Sequence, residues 1–211
     1  MGAIRLVRHG QASWEADDYD QLSELGTRQA SWLGQSWEAE GFVPSWSVAG
    51  GLRRHAQTAV AAIDAIDGDL YDVDAGWDEY DHLSLVGAER AEDRPSDPRE
   101  FQQLLDAALE RWLAGGDAPE TFAAFSRRVL GAFEAAVAEA GPRREVVVFT
   151  SGGPIALVVS HLLAGDASLF LALNRVVLNA SVSTVVVGRR GPTLLSFNEH
   201  THLPGDAVTF R

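Results

Sequence analysis

Four short stretches of the chain combine residue types that could do chemistry on an anionic group. The first, Arg8-His9-Gly10, follows directly on the apolar run Ile4–Val7. An imidazole must be neutral to act as a nucleophile, and a neighbouring cation such as Arg8 lowers its pKa toward that state. The planar donor fork of Arg8 also suits a phosphate. The second stretch, Leu52 to Ala59, places Arg53, Arg54 and His55 at the start of a helical pattern, where free N–H groups attract anions. Cations are locally unfavourable there, so a compensating anion is expected, and one of the two arginines reads as an ordinary solvated side chain. The third, Trp77-Asp78-Glu79-Tyr80-Asp81-His82, offers a carboxylic acid that could protonate a leaving alkoxide. The fourth, Thr150-Ser151-Gly152-Gly153-Pro154, offers backbone amides to an anion, although glycine equally suits a plain strand-to-helix turn.

The elements around these stretches alternate between β-rich runs and helical periodicity. Ile4–Val7, Trp46–Ala49 and Glu145–Phe149 read as buried strands and Leu70–Val73 as a weaker one. Ser23 caps a helix with Ala30, Leu33 and Trp37 on one face, ending at Gly41. Arg54 to Ile66 is a second helix, and a third runs from Gly152 through Leu163. Residues 84–98 read as a loop. Asp97-Pro98-Arg99-Glu100 starts a helix, Pro119 opens another, and Gly115-Gly116 turns between them. Val182–Val187 and Thr193–Phe197 form a hairpin across Gly188–Pro192. The expected fold is therefore one α/β domain over 1–211. A mostly parallel central sheet carries helices on both faces, and a helical insertion at about 84–141 caps the strand ends. Ligands in such sheets sit beyond the carboxyl ends of the strands, where all four stretches fall.

Composition narrows the partners. The 211 residues include 17 Lys+Arg against 30 Asp+Glu, a net charge of −13, which argues against nucleic acid and against an anionic membrane face. Hydrophobic residues make up 46%, enough for a sizeable core. The absence of cysteine excludes disulfides, thiolate metal sites and a cysteine nucleophile. No targeting or membrane-spanning pattern stands out, so a cytoplasmic protein is expected. Oligomeric state is not legible, and a homodimer is compatible with the sequence.

Taken together, the chain resembles the histidine phosphatase superfamily, the phosphoglycerate-mutase-like group, over nearly its whole length. Arg8-His9-Gly10-Gln11 is similar to the opening motif. Leu22-Ser23, Gly26 and Gln29-Ala30 are similar to the following helix start. Leu52 to Ala59 is similar to the second arginine motif, and Asn198 with His202-Leu203 to the C-terminal segment. The resemblance implies a phosphoglycerate-mutase-like fold and a metal-independent phosphatase without a cofactor, acting on a small phosphorylated substrate. It implies that His9 is phosphorylated, that Arg8, Arg54 and Gly152 bind the phosphoryl group, and that Glu79 protonates the leaving oxygen and later activates water. Gln11, Trp14, Tyr80 and His202 are the expected substrate contacts.

Two departures stand out. Where the family usually has a second histidine, after strand Glu145–Phe149, this chain has Ser151. A neutral hydrogen bond in place of a charged one is worth roughly tenfold in rate, so Ser151→His is expected to keep or raise turnover. His161 lies too far along its helix to substitute, His202 matches a family position, and the resemblance gives His200 and His55 no such support. The second departure is Glu15, Asp17, Asp18 and Asp20, which would repel a substrate carrying several negative charges. That favours a monophosphate with an apolar or cationic remainder over a bisphosphoglycerate. Two other readings stay open. One is a catalytically weakened member that binds a phosphoryl ligand or a protein. The other is a serine hydrolase on Ser151, with His200 or His202 as base.

Overall fold

The computed structural model describes residues 1–13, 20–66, 68, 71–87 and 98–210. Six strands form one sheet: β1 (Gly2–Arg8), β2 (Trp46–Ala49), β3 (Asp72–Val73), β4 (Glu145–Thr150), β5 (Val182–Gly188) and β6 (Gly191–Glu199). Their order is β3-β2-β4-β1-β5-β6. The first four strands are mutually parallel. β5 runs antiparallel to β1, and β6 antiparallel to β5, as an edge hairpin.

β4 shows why the sheet must be covered twice. Its Val146 and Val148 bury on one face and Val147 and Phe149 on the other, the two-residue period of a strand apolar on both sides. One face packs on α1 (Glu24–Glu40) and α2 (Arg53–Ile63), through Leu33, Trp37, Ala59 and Ile63. The other packs on α5 (Phe122–Glu139) and α6 (Gly152–Ala164), through Phe125, Val129, Ile155 and Val158. Ser23 caps α1 as expected, its Oγ accepting the Gly26 N–H at 3.0 Å, and Gly41 closes the helix.

The region 84–141 divides differently from the expected cap. α3 (His82–Val86) and α4 (Pro98–Leu113) stand beside the strand ends. α4 reaches the main core through Leu109 and Trp112, and α5 buries Phe125, Val129, Phe133 and Ala136 in the same core, with Ile4 and Val146. These α5 residues recur at helical spacing and form one buried stripe along the helix. α5 begins at Phe122 with Thr121 as its cap, three residues later than Pro119 suggests. Residues 82–86 are helical rather than loop, because Asp81 accepts the Leu83 and Ser84 N–H groups. Asp97, the expected cap of α4, lies outside the described residues. A short α7 (Phe170–Asn174), which the sequence pattern did not indicate, follows α6. Among the described residues, no helix is long and apolar enough to cross a membrane.

Candidate active site

The carboxyl ends of β1, β2 and β4 open on a cavity of about 830 Å³. Arg8, His9, Gln11, Arg54, Glu79, Tyr80 and Gly152 are among the residues that line it. His9 is held from three sides. Its N–H donates to the Thr150 carbonyl at 2.8 Å, while Ala180 N–H and Asn179 Nδ2 donate to its own carbonyl. Nδ1 donates to the Gly10 carbonyl at 2.7 Å. A carbonyl only accepts, so the neutral ring keeps its lone pair on Nε2. The residue is 6% exposed. Burial, then Arg54, Arg8 and His55, hold its pKa well below the usual histidine value.

The two arginines reach the cavity from different elements. Arg8 donates to the Val177 carbonyl and, at 2.9 Å, to the Phe210 carbonyl. Asn198 fastens that Val177 loop by donating to the Val176 carbonyl and accepting from Leu178 N–H. Arg54 lies in the first turn of α2 and pairs with Asp20 at 2.7 Å, while Asp20 also accepts the Arg53 N–H at 2.8 Å. Asp20 is thus the anion that the cationic helix start calls for. Paired in this way, it does not present a bare negative charge to a ligand.

Glu79 is half-buried in the cavity lining. Its Oε2 accepts the Gly153 N–H at 3.1 Å and its Oε1 the Tyr80 N–H at 3.2 Å. Burial raises its pKa, against the opposing pull of Gly153, Arg54, Arg8 and Tyr80. Glycine is required at 153, because a Cβ there would stand 2.1 Å from Glu79 Oε1. The peptide carrying Glu79 is pinned by Arg128 of α5. Its guanidinium donates to the Gly76 and Asp78 carbonyls, at 3.2 and 2.7 Å, and is itself held by Glu120.

Ser151 caps α6 without a side-chain cap bond. Its Oγ instead meets His55 Nε2 at 2.6 Å. The His55 and His9 ring centroids are 5.8 Å apart. Burial and Arg54 lower the His55 pKa. On the far side of its ring, Nδ1 lies 3.9 Å from Asp78 Oδ1. Burial raises the Asp78 carboxyl, against the Gly51 and Leu52 N–H groups, Arg128 and Arg54.

A family model described as the histidine phosphatase superfamily (branch 1) matches residues 4–200. The chain belongs to the histidine phosphatase superfamily. A 2,3-bisphosphoglycerate-dependent phosphoglycerate mutase from Elusimicrobium minutum is 30% identical over 101 residues, 44% of this chain and 40% of that protein. The matched part therefore spans about two fifths of that relative's length. Two solved structures share the fold. A phosphoserine phosphatase from Entamoeba histolytica, in complex with 3-phosphoglyceric acid, superposes with a TM-score of 0.71 at 19% identity, covering 97% of this chain and 100% of that one. A mycobacterial glucosyl-3-phosphoglycerate phosphatase gives 0.68 at 24% identity, covering 95% and 100%.

Within this superfamily member, most of the sequence-derived site residues converge. Arg8, His9, Gln11, Arg54, Glu79, Tyr80 and Gly152 share the one cavity. Gln11 has its Oε1 engaged by Ser23 Oγ. Tyr80 is mostly core, 6% exposed and packed on Trp112 and Phe125, with its hydroxyl accepting from Asn174. Trp14 lies outside the described residues. Ser151 and His202 are not among the described lining residues, and the buried His202 Nε2 has no hydrogen-bond partner among the described residues. His200 turns to the Asn198 carbonyl. Neither is therefore the histidine partner of Ser151. His55 is, although the resemblance gave it no support. The expectation for Ser151→His changes with it, since His55 fills the space a larger side chain would need. Sequence reasoning missed His55, Asp20 and Arg128. The available signal for His55 was its position beside Arg54 in the first turn of a helix that starts at a strand end.

Proposed function

We propose that the protein hydrolyses a small phosphomonoester without a metal, through a phosphohistidine on His9. The observation that carries this reading is the convergence, in one cavity, of a neutral imidazole with its lone pair on Nε2, two arginines and a half-buried carboxyl raised in pKa. Each feature suits a separate step. His9 Nε2 attacks phosphorus, the P–N bond forms and the ester P–O bond breaks. Glu79 gives its proton to the leaving alkoxide. Arg8 and Arg54 stabilise the charge on the phosphoryl oxygens in the transition state. The Glu79 carboxylate then takes a proton from water as that water attacks phosphorus. The P–N bond breaks, releasing phosphate and restoring neutral His9.

The outer wall speaks to the substrate. Leu105, Leu109, Leu171 and Phe210 give it an apolar side, and Asn174 and Arg175 add polar groups. A monoester with a partly apolar remainder fits that lining. The likeness to proteins described as phosphatases of phosphoserine and glucosyl-3-phosphoglycerate supports the reaction class.

The test is hydrolysis of an aryl phosphate with EDTA present, from about pH 4.5 to 8, by the wild type and by His9→Ala. Turnover that persists in EDTA and falls at least ~1,000-fold in His9→Ala is expected. Turnover surviving in His9→Ala would assign the chemistry to another nucleophile. If the wild type is inactive at every pH but binds inorganic phosphate, the binding-module reading takes its place.

A further inference from the structure

The imidazole that the family resemblance expects at position 151 is absent from β4, but α2 supplies one against the residue that stands there. His55 Nε2 is 2.6 Å from Ser151 Oγ, and its ring lies beside that of His9. We propose that His55 is a positioning residue acting through Ser151: it sets the Ser151 hydroxyl as a donor to the bound phosphoryl group and takes up a proton, opposite Asp78, when that group arrives. The inference rests on the reading of this cavity as a phosphoryl site.

Three observations carry it. The Ser151 side chain is not spent on capping α6, although it holds the cap position next to Gly152, which lines the cavity. The far nitrogen of His55 is buried with no hydrogen-bond partner among the described residues, yet it faces a carboxylate oxygen at 3.9 Å. A buried ring nitrogen left in that state is unfavourable in a side chain that only fills space. The third is the backbone that makes room for the pair. A Cβ at position 50 would stand 2.3 Å from His55 Nδ1 and 2.8 Å from Asp78 Oδ1, so only glycine fits between them.

The charges around His55 explain why it responds to the ligand. Arg54 faces it from its own helix, the His9 ring lies beside it at the end of β1, and Asp78 faces it from the segment before α3; Asp20 pairs with Arg54. Without a ligand, burial and Arg54 oppose a charge on the ring. The nearby carboxylate favours the proton on Nδ1, and Nε2 accepts from Ser151. A phosphoryl dianion offsets the arginines. One proton from solvent then binds Nε2, which donates to Ser151 Oγ, and the hydroxyl hydrogen turns to a phosphoryl oxygen. The proton returns to solvent when phosphate leaves. A charge-assisted donor replaces a neutral one without any histidine at position 151.

The direct test is proton uptake on binding inorganic phosphate near pH 7, by calorimetry in two buffers of different ionisation heat. Histidine ring ¹⁵N shifts are read alongside in the wild type. The expected result is that phosphate moves the His55 ring nitrogens to imidazolium values, and that His55→Gln binds with measurably lower proton uptake. In aryl phosphate hydrolysis, Ser151→Ala and His55→Gln lower kcat at least ~10-fold with a smaller change in KM. The double variant His55→Ala/Ser151→His, which keeps one imidazole and nearly the same volume, is more active than Ser151→His alone. Unchanged ring shifts in the phosphate-bound wild type, which need no variant to fold, overturn the proposal. So does labelling of Ser151 by a fluorophosphonate, which would make it a nucleophile. If phosphate binding and the ring shifts are as expected while His9→Ala retains turnover, the reading of His9 fails and this inference stands.

Discussion

His9 and Arg54 line the floor of the cavity, and the fully buried His55 and Ser151 lie beneath it; all four are under a tenth exposed, and each stands close behind a parallel strand. On the outer wall, Gln102 and Asp106 come from α4 and Arg175 follows α7. There Asp106 meets Arg175 as an ion pair whose side chains are 31% and 49% exposed. The floor is placed by the sheet register and by buried hydrogen bonds such as Gly10 N–H to Thr58 and Thr58 to the Arg54 carbonyl. The wall is placed by helices that reach the core through a few residues, Leu109 and Trp112 of α4 and Phe170 of α7. In the proposed function, chemistry that needs ångström placement is assigned to the first, and substrate choice, which tolerates variation, to the second.

Substitutions on the floor should therefore change kcat, and substitutions on the wall should change KM among substrates. Behind His9→Ala, the largest expected effect is that of Glu79→Gln, a loss of ~100- to 1,000-fold in kcat for poor leaving groups and much less for nitrophenolate. An equal loss for both leaving groups would take the proton-donor role away from Glu79. Next is Arg128→Met, which should lower kcat about tenfold while leaving phosphate affinity nearly unchanged, because Arg128 fixes the carbonyls around Glu79 and does not face the phosphoryl pocket. A KM effect alone would show that Arg128 only shapes the surface.

Acid should weaken the fold in a defined window. The pKa values of His9, His55 and His202 are all lowered in the folded protein, that of His202 to about 4. In the unfolded chain these groups titrate near 6.5. Below that pH the unfolded state gains protons that the folded state refuses, so stability is complete above about 6.5 and declines as the pH falls toward the folded values. The urea midpoint is expected to drop steadily from neutral to about pH 5, and a flat profile would place these rings in contact with water. The same shifts give activity an acidic-to-neutral optimum, since His9 stays neutral into acid and Glu79 must hold its proton. The smallest effect is expected for Arg175→Ala. The exposed Asp106 pair contributes about 0–1 kcal/mol, so stability barely moves and KM changes a few-fold for some substrates only.

The same division governed what could be read from the sequence. β4 was legible because burial on two faces imposes its composition, as in Val146–Phe149, and α1 and α2 because one buried face imposes a helical period. His9, Arg8, Arg54 and Glu79 were legible because each sits just past such an element. His55 was not, because its role depends on which side chain it meets across 96 positions of chain. Arg128 was hidden for the same reason: its partners are main-chain carbonyls, which leave no residue type to recognise. The division of 84–141 into a framework helix and a wall helix also escaped the pattern, since both α4 and α5 are amphipathic and only the tertiary packing says what each covers.

The most direct measurement of the central claim is rapid acid-free quenching of the wild type during turnover of an aryl phosphate, followed by peptide mapping of the phosphoryl group. The expected result is an acid-labile, base-stable phosphoryl group on His9. A stable adduct on Ser151, or steady turnover with His9 never modified, would contradict it.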